Sequence, residues 1–468
     1  MRGLLDRIWE KIPPTPFCFL GMGIFRVWTG IVNDGLVLPS PAGSTYSFFD
    51  LATAAVLLLL VALSRWIVPL RQRAGVFVLT GFCMVACACM RFYTVIHPEL
   101  AATHTWPALL LGAVGIAFIL MLWSEFFGCI NPLRVALYYS TGIIVSVFIL
   151  WVFKGLALPW LWAGTCAVPI VSLGCLWRAY KTLPASEWPH ANWGKFSFPW
   201  KPILVVSLYS FAFGLHESVF SGYLNTSSGE GDLFAALFVY LGIMFRRETF
   251  KFSSIWKLAM PLMLISLVPF GLFLPEGSWV SDFCAVSSYM LYTILIVVIL
   301  SNLSYRYGVC ALWLFGIERA VRLVSVQAGL GASAFMPAAD PQHLGALVPV
   351  TALIAIIIIV VTTFFFSERQ LSSPWGVLLK GAAGQDPEAY LEKNRIGMKC
   401  RELAKQYELT TREEEILLLL ALKKKPAVIE AELYVAKSTV KTHIKHIYQK
   451  LNVHSRQELF DLVGIQTK

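Results

Sequence analysis

The chain has 468 residues, of which 57% are hydrophobic and only 14% are charged. Soluble globular proteins carry about 25% charged residues, so this composition excludes a single soluble domain and favours a polytopic membrane protein with more than one domain. The formal net charge of +10 suits an anionic lipid surface and nucleic acid equally well, so it does not choose between them.

Apolar segments recur along the first 366 residues. A helix needs about 20 mainly apolar residues to cross the hydrocarbon core of a bilayer. The sequence therefore predicts an all-α polytopic bundle of about twelve spans, the eighth of them short. The predicted spans are 17–38, 46–64, 74–96, 105–123, 134–153, 158–177, 203–221, 232–245, 257–275, 282–303, 307–328 and 345–366. The charged stretch before the first span is not typical of a cleaved signal peptide.

Basic residues concentrate in alternate connections between these spans. One set of connections contains Arg2, Arg7, Lys11, Arg65, Arg71, Arg73, Arg178, Lys181, Lys195, Lys201, Arg246, Arg247 and Lys251. The other set contains Asp34, Glu99, Glu230, Asp232, Glu276 and Asp340, with Lys154 as its clear basic exception. The positive-inside rule then predicts a multi-pass protein of the cell membrane with both termini in the cytoplasm, and an even number of spans requires the same.

Six spans lie on each side of residue 190, joined by the longest cytoplasmic connection. This 6+6 plan resembles the major facilitator architecture in its layout. The basic Gly-Asp motif usual between spans two and three of that family is not recognisable in the segment SRWIVPLRQRAG, residues 64–75. That departure counts against a working transporter.

Ionisable side chains inside spans are candidate ligand or coupling groups. They are Arg26, Arg91, His216, Glu217, Glu318, Arg319 and Arg322. By the predicted topology, all lie on outward-running spans at mid-depth or in the outer half, as a cavity open to the outside requires, and the excess of arginine mildly favours an anionic or phenolic ligand. Internal pairing stays open as the alternative, because Glu318 and Arg322 stand at i,i+4. Glu125, at the inner end of its span, is interpreted as interfacial. The ten cysteines form no CxxC pair, so no metal site or cofactor is expected.

The hydrophobic pattern breaks after residue 366, where prolines and glycines recur. We therefore predict a membrane sensor domain over 1–366, a cytoplasmic linker over 367–398 and a C-terminal domain over 399–468.

One amphipathic helix dominates the C-terminal domain, in the segment STVKTHIKHIYQKL, residues 438–451. Its apolar seam at helical spacing consists of Val440, Ile444, Ile447 and Leu451. Its other side is polar and basic and consists of Ser438, Lys441, Thr442, Lys445 and Gln449. Such a face is typical of a helix that lies in the major groove of DNA.

Residues 399–468 resemble the LuxR-type helix-turn-helix domain. The family's Leu-Thr-x-Arg-Glu-x-Glu pattern is matched at 409–415, its Thr-Val-Lys-x-His core at 439–443 and its closing Lys-Leu-x-Val-x-Ser-Arg pattern at 450–456. The resemblance implies four helices, with a scaffold helix near 426–433 and a recognition helix near 437–451. Thr410 and Glu413 have the spacing of a capping box.

The resemblance also implies roles for single residues. In the family, the positions of Lys441, Thr442 and Lys445 reach base edges. The positions that lie near phosphates are those of Ser438, Thr439, His443 and Lys450. The last helix, near Gln457–Val463, joins two copies on paired half-sites, which predicts a homodimer.

This chain departs from the family pattern at three places. Three lysines, Lys423–Lys425, stand where a glycine is usual before the scaffold helix. Glu430 replaces a small residue within that helix. Ala436 replaces the serine before the recognition helix and so removes a cap.

The whole plan resembles the membrane-anchored, multi-pass LuxR-type regulators of Eggerthella-like actinobacteria. The resemblance implies a one-component transcription regulator that senses an unknown small molecule through its membrane domain and binds promoter DNA. No Ser/His/Asp grouping or phosphate loop is recognisable, so we do not expect an enzyme. Two alternatives stay open: a major-facilitator-like transporter with a regulatory DNA-binding tail, and a C-terminal domain that binds a protein in place of DNA.

Overall fold

A computed structural model of the chain describes residues 17–32, 43–183, 199–220, 229–245, 253–268, 277–335, 344–365, 387–433 and 435–464. The predicted connections with Arg2, Arg7, Lys11, Asp34, Lys195, Arg246, Arg247, Lys251, Glu276 and Asp340 lie outside the described residues. The part that is described consists of α-helices joined by turns and short 3-10 segments.

Twelve helices form the membrane part. They are α1 (Gly21–Val32), α2 (Gly43–Ile67), α3 (Ala74–Ile96), α4 (Ala101–Phe127), α5 (Pro132–Lys154), α6 (Leu158–Lys181), α7 (Trp200–Phe220), α8 (Gly229–Phe245), α9 (Ser253–Ser266), α10 (Gly277–Tyr307), α11 (Ala311–Ala332) and α12 (Leu344–Phe365). Each overlaps one predicted span, which confirms the prediction of twelve helical segments.

Seven of these helices, α2 to α7 and α10, are long and apolar enough to cross a bilayer by length and composition. The apolar stretches of α1, α9 and α12 are shorter, α8 has 17 residues, and α11 contains several charged side chains. Large apolar side chains such as Phe82, Trp151, Val360 and Phe364 are exposed on the outside. A surface of this kind needs lipid around it, because water would not tolerate so much exposed apolar area.

The membrane helices form two halves, α1–α6 and α7–α12. The halves meet where α11 packs on α2 and α4, and where α5 packs on α8 and α10. Within the second half, α7 and α11 pack closely because both carry glycine at the crossing. A Cβ on Gly214 would lie 2.1 Å from the carbonyl oxygen of Val326, and a Cβ on Gly329 would lie 2.1 Å from that of Phe211. Small residues at such crossings let membrane helices approach to backbone contact.

Five further helices form the C-terminal domain. They are α13 (Pro387–Gln406), α14 (Thr411–Ala421), α15 (Pro426–Leu433), α16 (Lys437–Leu451) and α17 (Arg456–Val463). Their apolar faces enclose a hydrophobic core separate from that of the membrane part. Ile396 and Cys400 of α13 belong to this core.

Among the described residues, the membrane part and the C-terminal domain are in contact. Helix α13 contacts α10 of the second membrane half, and α15 contacts α5 of the first half. The C-terminal domain therefore lies against helices from both halves.

Candidate DNA interface and intramembrane polar groups

Helix α14 begins with a complete capping box, as the sequence predicted. The Glu413 carboxylate accepts a hydrogen bond from the Thr410 backbone N–H at 2.8 Å, and the Thr410 hydroxyl accepts one from the Glu413 N–H at 3.3 Å. These bonds satisfy two donors that the start of a helix leaves without partners. The cap fixes where α14 begins and therefore how its leucine-rich face enters the core.

Helix α16 has the bounds and the two faces that the sequence predicted. Val440, Ile447 and Leu451 are buried in the domain core, and Ile444 packs partly buried against it. The residue before the helix, Ala436, makes no side-chain cap. The seam thus fixes the rotation of α16 and turns its basic face outward.

Lys441 and Lys445 stand exposed on that outer face. Neither side chain makes a hydrogen bond or an ion pair with any part of the chain that the structure describes. Thr442, also exposed, donates a hydrogen bond from its hydroxyl to the Ser438 carbonyl at 3.0 Å. Two long cations are therefore free to reach a ligand, with a hydroxyl between them.

The candidate phosphate contacts at the edges of this face differ in their exposure. Ser438 is exposed and Thr439 is half-buried. His443 is half-buried, and its Nδ1 atom is buried without a hydrogen-bond partner among the described residues.

Lys450 has partners within the protein. Its ammonium group donates to Glu413 at 2.7 Å and to the Glu408 carbonyl at 3.2 Å. Burial acts to raise the pKa of Glu413, but the hydrogen bonds from Lys450 and Thr410 outweigh it and hold that pKa below its usual value. To bind a phosphate, Lys450 must first break its hydrogen bond to the Glu413 carboxylate.

Two arginines of the family patterns hold the domain together. Arg412 donates to the Leu433 carbonyl at 2.9 Å, which ties α14 to the end of α15. Arg456 donates to the Lys424 carbonyl at 2.7 Å and lies over the Phe460 ring. The sequence patterns contain both arginines, but the partner carbonyls lie in other helices or turns, so periodicity could not reveal these contacts.

Among the intramembrane candidates, Arg26 forms an ion pair between the two halves. Its guanidinium, on α1, donates to the Asp232 carboxylate of α8 at 2.7 Å. The two side chains are 25% and 21% exposed. This pair is therefore only partly buried.

A second group of charges lies on α11. The Glu318 carboxylate pairs with Arg322 at 3.1 Å and with Arg319 at 3.7 Å. Arg322 also donates to the Thr293 hydroxyl of α10 at 2.7 Å. Glu318 and Arg322 are at most 5% exposed, so this i,i+4 pair is buried as the internal-pairing alternative predicted.

The buried phenol of Tyr139, on α5, lies near both groups of charges. Helix α11 begins at Ala311 and not at the predicted 307, so Glu318 is the eighth of its 22 residues. The depth of Glu318 in a bilayer stays a prediction.

The other candidates lie apart from this group. Arg91 is buried on α3 and donates to the Val32 carbonyl at 3.3 Å. On α7, His216 Nδ1 lies 3.1 Å from the Ser266 carbonyl oxygen, and its Nε2 lies 4.0 Å from Asp282. Glu217, next to it, is half-buried. The seven candidates therefore do not form one cluster.

Sequence reasoning missed three buried or half-buried aspartates. Asp232, predicted to lie in a connection, is the fourth residue of α8, Asp50 is the eighth of α2 and Asp282 is the sixth of α10. Asp50 accepts a hydrogen bond from Gln327 of α11 at 2.7 Å, a second polar contact between the halves. With these three acids counted, arginine no longer exceeds acidic residues in the spans, so the charge argument for an anionic or phenolic ligand loses its basis.

Glu125, interpreted from the sequence as interfacial, lies near the end of α4 and is buried within the protein, and its depth in a bilayer stays a prediction. Its carboxylate is only 2% exposed and accepts hydrogen bonds from the backbone N–H groups of Leu70 at 3.0 Å and Arg71 at 3.3 Å. Glu125 thus holds the connection between α2 and α3 against α4. Within the described residues, no three metal-ligating side chains lie together.

Residues 407–463 match the family described as bacterial regulatory proteins, luxR family. Two strains of Mycobacterium tuberculosis, CDC 1551 and H37Rv, each have a probable transcriptional regulatory protein NarL that is 50% identical over 48 residues, covering 10% of this chain and 22% of the relative. The chain thus spans about a fifth of the length of the curated relatives it matches. This match and the capped α14–α17 arrangement identify the C-terminal part as a LuxR-type helix-turn-helix domain.

The membrane part is similar to solved transporter structures. A bacterial homologue of the iron transporter ferroportin, in an outward-facing state, superposes with a TM-score of 0.53 and 13% identity, covering 74% of this chain and 97% of that one. The E. coli fucose:proton symporter FucP gives a TM-score of 0.42 at 13% identity, covering 75% and 96%. The protein is therefore a helical membrane protein of major-facilitator-like fold that carries a LuxR-type DNA-binding domain.

Proposed function

We propose that this protein is a membrane-integral, one-component transcription regulator that senses a small molecule. The observation that carries the proposal is the exposed basic face of α16, with Lys441 and Lys445 unpaired, on a domain in contact with a major-facilitator-like bundle. The domain binds promoter DNA, and the bundle controls how it does so.

In this proposal, α16 lies in the major groove and α15 crosses the DNA backbone. Lys441, Thr442 and Lys445 contact base edges, because the two lysines can donate to guanine acceptors. Ser438, Thr439, His443 and Lys450 contact phosphates and fix the register. Lys450 leaves Glu413 when it does so.

The DNA-bound form is a homodimer whose contact is α17. Gln457, Glu458 and Asp461 are exposed on that helix, which leaves a face for a symmetric partner. A symmetric contact of this kind sets the spacing of two half-sites on the DNA.

We place the linker at 367–398 and the DNA-binding domain from residue 399 onward, in the cytoplasm with both termini. The distribution of basic residues supports the cytoplasmic location. Arg65 lies in the last turn of α2, and Arg71 and Arg73 lie between α2 and α3. Arg178 and Lys181 lie at the end of α6, which alternation of the helices puts at the same end of the bundle. The opposite connection between α3 and α4 contains Glu99.

The ligand site lies between the two halves, around Arg26 and Asp232. That pair is partly exposed, joins the halves and neighbours the charges of α11, so a polar ligand that takes either partner changes the contact between the halves. Because α13 contacts one half and α15 the other, a change in their relative position moves the DNA-binding domain. A ligand shifts this equilibrium only by the difference in its affinity for the two arrangements.

Crosslinking of the intact protein to chromosomal DNA in cells, followed by sequencing, tests the regulator. We expect discrete promoter peaks that disappear in a Lys441→Ala/Lys445→Ala variant. Lys405→Ala, which removes an exposed lysine of α13, serves as the matched control and keeps the peaks. Peaks that persist without Lys441 and Lys445, or no peaks at all, would reject the DNA-binding role and favour a protein partner.

Transport is the second candidate, and the fold itself favours it. Glu217 and Glu318 stand in the bundle at positions where an acid could carry a coupled proton, and His216 faces Asp282 nearby. Uptake assays with a panel of small solutes, with and without Glu217→Gln, separate the two functions. Uptake that depends on Glu217 supports a transporter, whereas its absence together with promoter peaks supports a sensor.

A further inference from the structure

The turn between α14 and α15 contains the three lysines that depart from the family pattern. Helix α14 ends there in a Schellman motif. The Lys424 N–H donates to the Leu419 carbonyl at 3.1 Å, and the Lys423 N–H donates to the Leu420 carbonyl at 2.9 Å. Lys423 thereby takes the position after the helix end with φ of 60°. Glycine is the usual residue at this position, because an L side chain crowds the following carbonyl in the left-handed region.

The hydrogen bonds of the turn hold Lys423 in this conformation, but its side chain adds nothing that offsets the strain. Its side chain is exposed and makes no hydrogen bond or ion pair with the described residues. Lys425 is exposed and unpaired in the same sense. The turn therefore carries two exposed ammonium groups that no described side chain or carbonyl neutralises.

The backbone of the turn is fixed all the same. Arg456 of α17 donates to the Lys424 carbonyl at 2.7 Å. The Lys425 carbonyl accepts hydrogen bonds from Val428 at 2.9 Å and Ile429 at 3.1 Å, which starts α15 directly after the lysines. The two exposed ammonium groups therefore extend from a backbone held at both ends.

We propose that Lys423 and Lys425 form a second DNA contact, with the sugar-phosphate backbone, independent of sequence. The inference rests on the DNA binding proposed above. When α16 occupies the major groove, the first helix of the motif crosses the backbone, and the lysine turn stands at the start of that helix. Lysine binds phosphate as a flexible point charge and releases counterions from the DNA. Lys423, in the left-handed backbone conformation, thus lowers the stability of the domain and raises its affinity for DNA.

The salt dependence of DNA binding tests this contact. The full chain is placed in phosphatidylcholine nanodiscs, which carry no net lipid charge, and titrated with a mixed-sequence duplex at several salt concentrations. We expect Lys423→Gly to reduce the slope of log affinity against log salt by about 0.9, and Lys423→Gly/Lys425→Gln to reduce it by about 1.8. Lys423→Arg keeps the charge and the slope. Lys405→Ala removes one charge from α13 and leaves the slope near that of the wild type.

Amide hydrogen exchange of the same variants supplies the second readout. Lys423→Gly relieves the strain, so the amides at the end of α14 should exchange more slowly although DNA binding weakens. Glu408 also has a positive φ, of 49°, and serves as the control site. Glu408→Gly should slow the exchange of the neighbouring amides without lowering the affinity for DNA. A misfolded variant would lose both stability and DNA affinity, so a gain in stability together with a loss of affinity is not explained by misfolding.

Three results would overturn the proposal. The first is an unchanged salt slope in Lys423→Gly while Lys441→Ala/Lys445→Ala abolishes binding, which leaves the DNA-binding function intact. The second is a Lys423→Gly/Lys425→Gln variant that keeps its DNA affinity but loses binding to phosphatidylglycerol vesicles, which assigns the lysines to the membrane surface. The third is a wild-type chain that does not bind the duplex at all, which rejects the proposed function as well.

Discussion

In the described part of the chain, charged side chains are paired within the membrane bundle but unpaired at the centre of the outer face of α16. In the bundle, Arg26, Arg91 and Arg322 each have a partner in hydrogen-bond or ion-pair distance. On α16, Lys441 and Lys445 have none among the described residues. A charge in a low-dielectric interior is costly unless it is paired, whereas a charge in water is not. The difference separates charges that hold a structure together from charges available to a ligand.

The largest effect is expected where the buried pairing is broken. Glu318→Ala leaves Arg322 as a buried charge without its carboxylate, which costs about 3–5 kcal/mol. Thermal denaturation in detergent, followed by tryptophan fluorescence, measures the loss. The double variant Glu318→Leu/Arg322→Met should recover most of it, because an apolar pair of similar volume needs no partner. A double variant as unstable as Glu318→Ala would show that the pair has a role beyond mutual neutralisation.

Removal of the unpaired charges should affect binding and leave stability unchanged. Lys441→Ala and Lys445→Ala should each weaken binding to the promoter recovered from cells by about tenfold, since a good base contact contributes about 1–3 kcal/mol. Gel-shift titrations at fixed salt measure this. The same variants should unfold within about 0.5 kcal/mol of the wild type, because these side chains form no hydrogen bond or ion pair with the described residues. A marked loss of stability would assign the lysines to the fold.

The cap of α14 tests the structural side of the C-terminal domain. Thr410→Ala removes the hydroxyl that accepts from Glu413 and should destabilise the domain by about 1 kcal/mol. Thr410→Ser retains the oxygen and should cost much less. Hydrogen exchange of the α14 amides in the full chain measures both variants. Equal protection in the alanine and serine variants would contradict the capping role.

The smallest effect is a dependence on pH. Hydrogen bonds lower the pKa of Glu413 in the folded domain, so its contribution to stability is present above the unfolded value of about 4.3 and is lost as pH falls through the folded value. Urea unfolding of the C-terminal domain at neutral and acidic pH should show this loss. Lys450→Met removes one of the hydrogen bonds and should make the loss smaller. A variant with the same acid sensitivity as the wild type would exclude the Lys450 contact as its source.

The sequence predicted local features closely and distant contacts poorly. The twelve apolar segments, the capping box of α14 and the two faces of α16 each depend on residues within a few turns of one helix, so spacing is enough to find them. The pairs Arg26–Asp232 and Asp50–Gln327 join residues 206 and 277 positions apart. Such pairs depend on how two halves of a bundle meet, and spacing along the chain does not contain that information. For the same reason the partner of Lys450 was not predicted.

Ala436 has a consequence for how the recognition helix behaves before DNA arrives. Because Ala436 has no side-chain oxygen, the first backbone amides of α16 have no side-chain cap and depend on water for hydrogen bonds. The helix is therefore most prone to fray at its start. Ser438 and Thr439 lie in this first turn. In the proposed complex with DNA, a phosphate oxygen near this turn would accept hydrogen bonds from these backbone amides and supply the cap that Ala436 does not. Binding would then order the first turn of the recognition helix.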